Sequence, residues 1–125
     1  MTPWRQRSVN KLLSLLGLAR RAGKLVCGYD ASVEAAANAE AKGLIAALDI
    51  SDKTFKNLKF EADKYGIPCL RMVETTFEAS AATGRKAGVF AVCDEGFFGA
   101  IKDIIENNNS AERMQDHAAE GDANE

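Results

Sequence analysis

The stretch of sequence that decides the fold is Leu15-Leu16-Gly17-Leu18-Ala19-Arg20-Arg21-Ala22-Gly23-Lys24-Leu25-Val26-Cys27-Gly28. Its first part continues an apolar spacing that starts at Val9 and has the period of a helix. Gly23 follows soon after two arginines, and glycine commonly ends a helix because it accepts a left-handed backbone. Residues 24–27 are typical of a short strand, which Gly28 closes. The stretch therefore predicts a helix, a turn and a strand in direct succession.

Strand and helix patterns continue to alternate after this stretch, to about residue 105. The sequence predicts a helix at 29–40, a strand at 43–48, a helix at 52–65, a strand at 67–73, a helix at 76–82, a strand at 87–93 and a final helix capped by Asp94. Alternating strands and helices place helices on both faces of one sheet. We therefore predict the α/β class, as a three-layer α/β/α sandwich with a mixed but mostly parallel sheet of about four strands.

The apolar runs at 44–48 and 87–93 are continuous, as in strands that are covered on both faces. We expect these two runs to form adjacent strands at the centre of the sheet. Helical side chains at regular spacing should complete the core. The residues expected to pack against the sheet or to be largely buried are Leu13, Leu16, Phe55, Leu58, Val89, Phe97, Ile101 and Ile104.

The chain has 125 residues, which is the size of one ordinary domain. We predict a domain at residues 1–106. Residues 107–125 have few large apolar side chains to offset the entropy of ordering the backbone, and they are predicted to be a disordered acidic tail. No apolar run reaches the roughly 18 residues of a membrane span, and no secretory signal is recognisable. Three widely separated cysteines predict reduced thiols and a cytoplasmic location.

The net charge of −2 conceals an uneven distribution of charged side chains. Residues 106–125 hold six acidic side chains and one basic one. Residues 1–29 hold no acid and six bases, which are Arg5, Arg7, Lys11, Arg20, Arg21 and Lys24. A basic amino end suits a surface that binds phosphate, although the acidic total argues against a strongly basic coat for nucleic acid. The alternative interpretation is that these bases form a solvated helix face.

The sequence lacks the residues of the common catalytic and metal sites. His117 is the only histidine and lies in the predicted tail, which excludes Ser-His-Asp and Cys-His arrangements from the domain. The cysteines do not have the spacing of zinc ligands, and the glycine motifs that cradle phosphate do not occur. Four carboxylates fall at predicted helix starts, where they cap the helix, namely Asp30, Asp49, Asp52 and Asp94. We predict a binding module that is not an enzyme and holds no metal or cofactor.

Residues 15–28 resemble the opening of the L-seven-Ae ribosomal protein family, particularly its small bacterial members. Three further segments resemble landmarks of this family in the same order, namely Ala46-Ala47-Leu48-Asp49, Tyr65-Gly66-Ile67-Pro68 and Ala91-Val92-Cys93-Asp94-Glu95-Gly96-Phe97. The resemblance covers about residues 8–105. It implies the three-layer fold and the binding of kink-turn RNA, a sharply bent duplex.

The family's RNA site joins the start of the second helix to the loop after the third strand. The family motif Gly-x-Asn-Glu-x-x-Lys reads Gly28-Tyr29-Asp30-Ala31-Ser32-Val33-Glu34 here, so that only the glycine matches. Leu48 also replaces a family glutamate, and Ala79-Ser80 replaces a Leu-Gly pair in the opposite loop. An ionised aspartate only accepts hydrogen bonds, and Glu34 puts negative charge where the family meets a phosphate. The recognition motif is therefore degenerate.

The candidate RNA-binding residues are Arg20, Arg21, Lys24, Gly28, Tyr29, Asp30, Ala31, Ser32, Thr75, Thr76 and Phe77. The bases and the free amides of the second helix are predicted phosphate contacts. Tyr29 and Phe77 are predicted to stack unpaired bases, although Phe77 also fits a core position. We interpret the chain as a binder of structured RNA, ribosomal or otherwise kinked, that associates with the ribosome or with translation factors. The alternative is a protein-interaction adaptor that has kept this fold and lost its RNA site.

Overall fold

The structure, a computed structural model, describes residues 11–108. The helices are α1 (Lys11–Arg21), α2 (Tyr29–Ala37), α3 (Asp52–Lys64), α4 (Thr76–Thr83) and α5 (95–108), and the strands are β1 (Leu25–Cys27), β2 (Gly43–Ala46), β3 (Cys69–Arg71) and β4 (Val89–Val92). The predictions for Val9 and for tail residues 109–125 lie outside the described residues. None of the helices in the described part is long and apolar enough to cross a membrane.

The four strands form one mixed sheet in the order β1-β4-β2-β3. Strands β2 and β4 are adjacent and central, as predicted from their continuous apolar runs. The expectation of a mostly parallel sheet is wrong, because β4 is antiparallel to both neighbours and only β2 and β3 pair in parallel. The short α4 does not carry the chain back along the sheet, so β4 starts at the edge where β3 stops.

The two central strands are buried along their whole length, and their side chains alternate between two cores. Phe90 and Val92 face α1, α4 and α5, whereas Val89 and Ala91 face α2 and α3. The predicted core residues all pack in these cores: Leu16, Leu58, Val89 and Ile101 are buried, and Leu13, Phe55, Phe97 and Ile104 are partly buried. The three-layer α/β/α sandwich is therefore confirmed.

Helix α5 differs in phase and in length from its prediction. The Asp94 carboxylate accepts a hydrogen bond from the amide of Phe97 at 2.9 Å, which confirms the predicted cap. The most buried side chains of α5 are Phe98, Ile101 and Ile105, one position later than two of the three expected. The Phe98 ring fills the space over Gly43, where a Cβ would lie 2.2 Å from two ring carbons. The helix continues through residue 108, two residues beyond the predicted domain boundary.

Candidate nucleic-acid interface

Three helices begin at one edge of the sheet, which we call the strand-end edge. Strands β1, β2 and β3 run in the same direction, because β4 is antiparallel to both β1 and β2 and β3 is parallel to β2. Each of these strands leads directly into a helix, so α2, α3 and α4 all start where the strands end. The first amides of a helix carry partial positive charge and attract anions. The fold therefore gathers three potential anion-binding positions at this edge.

One of these three helix starts is capped by none of the side chains of residues 11–108. Ser51 accepts a hydrogen bond from the third residue of α3, and Thr75 forms a capping box with Glu78 at the start of α4. Both caps stand directly before residues 52 and 76, where these helices are predicted to begin. Helix α2 begins after Gly28, which has no side chain to cap it, and its first helical bond runs from the Ser32 amide to the Gly28 carbonyl. The amides of 29–31 are therefore the helix-start donors that remain for a ligand.

Gly28 holds the backbone in a conformation that favours glycine. Its φ of 106° and ψ of 151° lie in a region that residues with a side chain rarely adopt. A Cβ at this position would meet no atom of residues 11–108 within 4 Å, so the described part of the chain leaves the surface above Gly28 open. The Gly28 amide donates to the carbonyl of Val89 at 2.7 Å, which ties the start of α2 to the start of β4. A ligand can thus approach the backbone closely at a rigid position.

The two predicted stacking residues differ in exposure. Phe77 is 82% exposed in the first turn of α4, so the interpretation of Phe77 as a core residue is wrong. Tyr29 is partly buried against the core between the sheet and α3. Burial raises the pKa of its hydroxyl, and the charges of Glu61 and Asp30 raise that pKa further. Phe77 therefore offers a free ring face, whereas Tyr29 is only partly accessible.

Three predicted contact residues use their hydroxyls inside the protein. Ser32 is fully buried and donates to the carbonyl of Val26 at 3.5 Å, so its side chain is not available to a ligand. Thr75 is engaged in the capping box, and the Thr76 hydroxyl donates to the Asp49 carboxylate at 2.8 Å. The prediction that Asp49 caps the helix following it is wrong, because Asp49 accepts hydrogen bonds from the start of α4 instead. These hydroxyls shape the strand-end edge, and each already donates its proton within the protein.

The predicted basic residues do not form one cluster. Arg20 donates from Nη1 to the carbonyl of Thr83 at 3.0 Å, which links α1 to the end of α4. Arg21 is exposed beside the same helix, in a groove that Ala82 also lines. The Lys24 carbonyl accepts from the amide of Cys93, just after the end of β4, so Lys24 lies at the opposite edge of the sheet. The structure thus brings Arg20 and Arg21 to α4 and leaves Lys24 far from Gly28.

Two further bases lie near Gly28 and are not among the predicted contacts. Arg85 and Lys86 are exposed in the loop between α4 and β4. Burial raises the pKa of the Cys27 thiol, and the positive charges of Arg20 and Arg85 oppose this effect, so both guanidinium groups lie near Cys27. The sequence signal for these bases is the Arg-Lys pair after Gly84, a pattern that by itself predicts only a turn.

The strand-end edge also carries negative and apolar groups. Asp30 and Glu34 are exposed on α2. Glu74, after β3, is only 6% exposed, and its Oε1 has no hydrogen-bond partner in the described part of the chain. Burial raises the pKa of the Glu74 carboxyl, and the charge of Glu78 adds to the rise. Leu48 is half exposed beside Glu74, since its amide donates to the Glu74 carbonyl at 2.8 Å. The edge is thus mixed in charge and suits a ligand that offers both phosphates and hydrogen-bond donors.

No arrangement of side chains in the described part of the chain suggests a metal centre. In residues 11–108, no group of three histidine, cysteine, aspartate or glutamate side chains is close enough to hold a metal ion. The three cysteines are free and partly buried, and burial raises the pKa of each thiol, that of Cys69 to about 11. A raised pKa keeps a thiol protonated and unreactive at neutral pH.

Comparison with known proteins identifies the family. No family model matches the chain. The RNA-binding protein YlxQ of Enterococcus faecium is 34% identical over 96 residues, which cover 77% of this chain and 92% of the relative. This chain belongs to the L-seven-Ae family. The YlxQ protein of Bacillus subtilis (strain 168), also described as RNA-binding, is 33% identical over 97 residues, covering 74% of this chain and 92% of that protein.

Two solved structures share the fold of this chain. A protein of unknown function from Bacillus halodurans is 33% identical, with a TM-score of 0.71 over 77% of this chain and 97% of that chain. The 15.5kD RNA-binding protein of Giardia lamblia has a TM-score of 0.60 over 79% of this chain and 85% of that chain. At 14% identity, the Giardia protein shows the shared fold alone.

Proposed function

We propose that this L-seven-Ae family member is a binding protein, not an enzyme, that grips structured RNA at its strand-end edge. The observation that carries the proposal is the open start of α2, where the amides of 29–31 stand beside the bare backbone of Gly28. Amides at a helix start are suited to a phosphate oxygen. The relatives described as RNA-binding proteins support RNA as the source of that phosphate.

The side chains around this helix start extend the proposed contact. Arg21, Arg85 and Lys86 are exposed and can neutralise further phosphates along the RNA backbone. Phe77 offers an exposed ring on which an unpaired base can stack. A duplex interrupted by a bulge presents phosphates and an unpaired base together, and a kinked ribosomal RNA is an RNA of this kind.

The acids on α2 define which groups this site can read. Asp30 and Glu34 are exposed and, when ionised, only accept hydrogen bonds. They favour the amino groups of bases and repel phosphates that come close to them. We infer that the protein recognises a kinked duplex with base donors turned toward α2, with weaker phosphate contact there than a lysine would give. We further propose that the protein acts in the cytoplasm, near the ribosome. The three free thiols stay reduced in that compartment.

A gel-shift titration against a kink-turn duplex and a straight duplex of equal length tests the proposal. We expect the native protein to bind the kinked duplex more tightly than the straight one. The triple change Asp30→Asn, Ala31→Glu and Glu34→Lys restores the family motif. It should raise affinity for the kinked duplex specifically, because the asparagine can donate hydrogen bonds to base edges and the lysine can contact a phosphate. If the native protein and the restored variant both fail to bind either RNA, the strand-end edge is not an RNA site.

A protein-interaction adaptor is the second candidate, and one feature of the same edge favours it. Leu48 and Val73 are exposed apolar side chains that line a cavity of about 460 Å³ together with Ile105. A groove that combines exposed apolar side chains with the Arg71 side chain is suited to a side chain of a partner protein. Crosslinking in cells distinguishes the candidates, since recovered RNA supports the first and recovered protein with no RNA supports the second.

A further inference from the structure

Helix α3 carries a second basic surface, outside the strand-end edge. Four of its 13 residues are lysines, and all four are exposed. Between them Phe60 is 67% exposed, while Phe55, Leu58 and Ala62 on the opposite side of the helix pack against the sheet. Phe60 is out of phase with these core residues, so it takes no part in the packing of α3. We call the exposed strip formed by Lys53, Lys56, Phe60 and Lys64 the α3 ridge.

The members of the α3 ridge lie on one side of the helix. Lys56 precedes Phe60 by four residues and Lys64 follows it by four, and residues four apart are neighbours on a helix surface. Lys53 lies one further turn toward the start of α3. The ridge spans eleven residue steps, or about 16 Å along the helix axis. A phenylalanine ring thus stands in the middle of a row of positive charges.

The charges of the α3 ridge are not neutralised by neighbouring acids. Within residues 11–108, none of the ridge lysines forms an ion pair. Asp52, in the first turn, is paired with Arg71 at 3.4 Å, and Glu61 flanks the helix on the side of Tyr29. Asp63 is a second exposed acid, next to Lys64 in sequence. The ridge therefore keeps a net positive charge and attracts an anionic partner.

We propose that the α3 ridge holds a single-stranded extension of the bound RNA, with phosphates on the lysines and an unpaired base stacked on Phe60. The inference rests on the proposed function, because it needs an RNA already bound at the strand-end edge. Proteins that track single strands combine basic side chains with aromatic rings on which bases stack. A lysine row alone would be an ordinary solvated face, and the exposed ring at its centre is what favours a nucleotide strand over a simple anion.

The position of α3 makes one continuous RNA path possible. Helix α3 starts at the strand-end edge, as α2 does, and both helices lie on the same face of the sheet. Tyr29 in the first turn of α2 lies close enough to α3 for the charge of Glu61 to act on its hydroxyl. A strand that leaves the duplex at the start of α2 thus meets Lys53 first and then Phe60.

The test uses the full chain and two probes, a blunt kink-turn duplex and the same duplex with a single-stranded extension on either strand. We expect the extension to tighten binding. Phe60→Ser should remove most of that gain and leave binding of the blunt duplex unchanged. The pair Lys56→Gln with Lys64→Gln should flatten the slope of log affinity against log salt by about 1.4, since each single-strand phosphate contact contributes roughly 0.7. Lys42→Gln, at an exposed lysine of the opposite edge, is the control for the loss of one positive charge away from the ridge.

Lysine acetylation gives a second readout that does not depend on the variants. The extended RNA should protect Lys56 and Lys64 from acetylation, whereas the blunt duplex and the control lysine should show no protection. If the blunt duplex binds but the extension adds nothing, this inference is overturned while the proposed function stands. If neither RNA binds, the proposed function itself fails. If the ridge is protected without RNA and residues 109–125 must be removed to expose it, the acidic segment is the occupant and the inference is wrong.

Discussion

The carboxylate of Asp49 holds Thr76, a residue 27 positions later in the chain. Asp49 Oδ1 accepts from the Thr76 amide at 2.9 Å and from the Thr76 hydroxyl at 2.8 Å. These two bonds join the loop after β2 to the first turn of α4. That turn carries Phe77 and also Glu78 of the capping box. The Asp49 side chain therefore reinforces the bond between the Leu48 amide and the Glu74 carbonyl, which joins the same two loops of the strand-end edge.

The Asp49–Thr76 bond predicts a dependence of stability on acid pH. Hydrogen bonds from Thr76 lower the pKa of Asp49 below its ordinary value of 3.8, so the ionised form is favoured in the folded protein. The stabilisation is fully present above that ordinary value and is lost as the pH falls through the lower pKa of the folded state. Asp49→Ala should lower the Tm at neutral pH and reduce the loss of Tm between neutral and acid pH. Thermal unfolding followed by circular dichroism measures both, and equal pH profiles for the two proteins would contradict the assignment.

Glu74 predicts the opposite response to pH. Burial raises its pKa above the ordinary value of 4.5, so the folded state disfavours the charged form. Its contribution is most favourable below that ordinary value and is lost as the pH rises through the raised pKa. Glu74→Gln should stabilise the protein at pH 7 by about 1 kcal/mol, because an amide carries no charge for burial to disfavour. Urea titrations at pH 4 and pH 7 test this, and a lower stability of the variant at pH 7 would show that an unseen partner satisfies Glu74.

Arg85 and Lys86 should contribute more to RNA binding than Lys24 does. The sequence pattern instead predicts Lys24 as a phosphate contact. The double change Arg85→Ala with Lys86→Ala should flatten the slope of log affinity against log salt by about two, roughly 0.9 for each duplex phosphate contact. Lys24→Ala combined with Lys42→Ala removes the same charge at the opposite edge and should leave the slope unchanged. An equal effect of the two pairs would mean that only total charge matters and that the strand-end edge has no special role.

Gly43 and Phe98 give a stability prediction with an internal control. Gly43→Ala places a Cβ 2.2 Å from two carbons of the Phe98 ring, and this overpacking should cost about 1–3 kcal/mol. Gly99→Ala, in helix α5 with no atom within 4 Å of the new Cβ, should instead stabilise the protein by about 0.5–1 kcal/mol. The control establishes that a methyl group as such is tolerated. Phe98→Leu in the Gly43→Ala background should recover part of the loss, and additive losses would show that the two sites are independent.

The domain boundary stays a prediction that truncation can test. A chain that ends at Asn108 keeps all of the described part of α5. We expect it to retain the Tm of the full chain, because the removed residues offer little apolar area to the core. The removed segment is acidic, and its loss should leave RNA affinity unchanged or tighten it. A fall in Tm would place part of the core beyond residue 108.

Much of the fold could be predicted from the sequence because its signals act over short distances. The caps at Ser51 and Thr75 involve partners three residues away, so the pattern that encodes each hydrogen bond is visible in a few letters. The continuous apolar runs of β2 and β4 likewise indicate two covered faces. These local patterns, together with the family resemblance of residues 15–28, are sufficient to predict the α/β/α class.

The composition of the site was decided only by the tertiary structure. The sequence groups Lys24 with Gly28 because they are four residues apart, but an extended strand separates them and sends them to opposite edges of the sheet. Arg85 reaches the same neighbourhood as Gly28 across 57 positions because β4 enters the sheet antiparallel beside β1. Periodicity and capping are properties of a segment, whereas strand order is set by the packing of all segments together. The sequence by itself therefore determined what this protein is built from, and only the folded chain decided which charges share a surface.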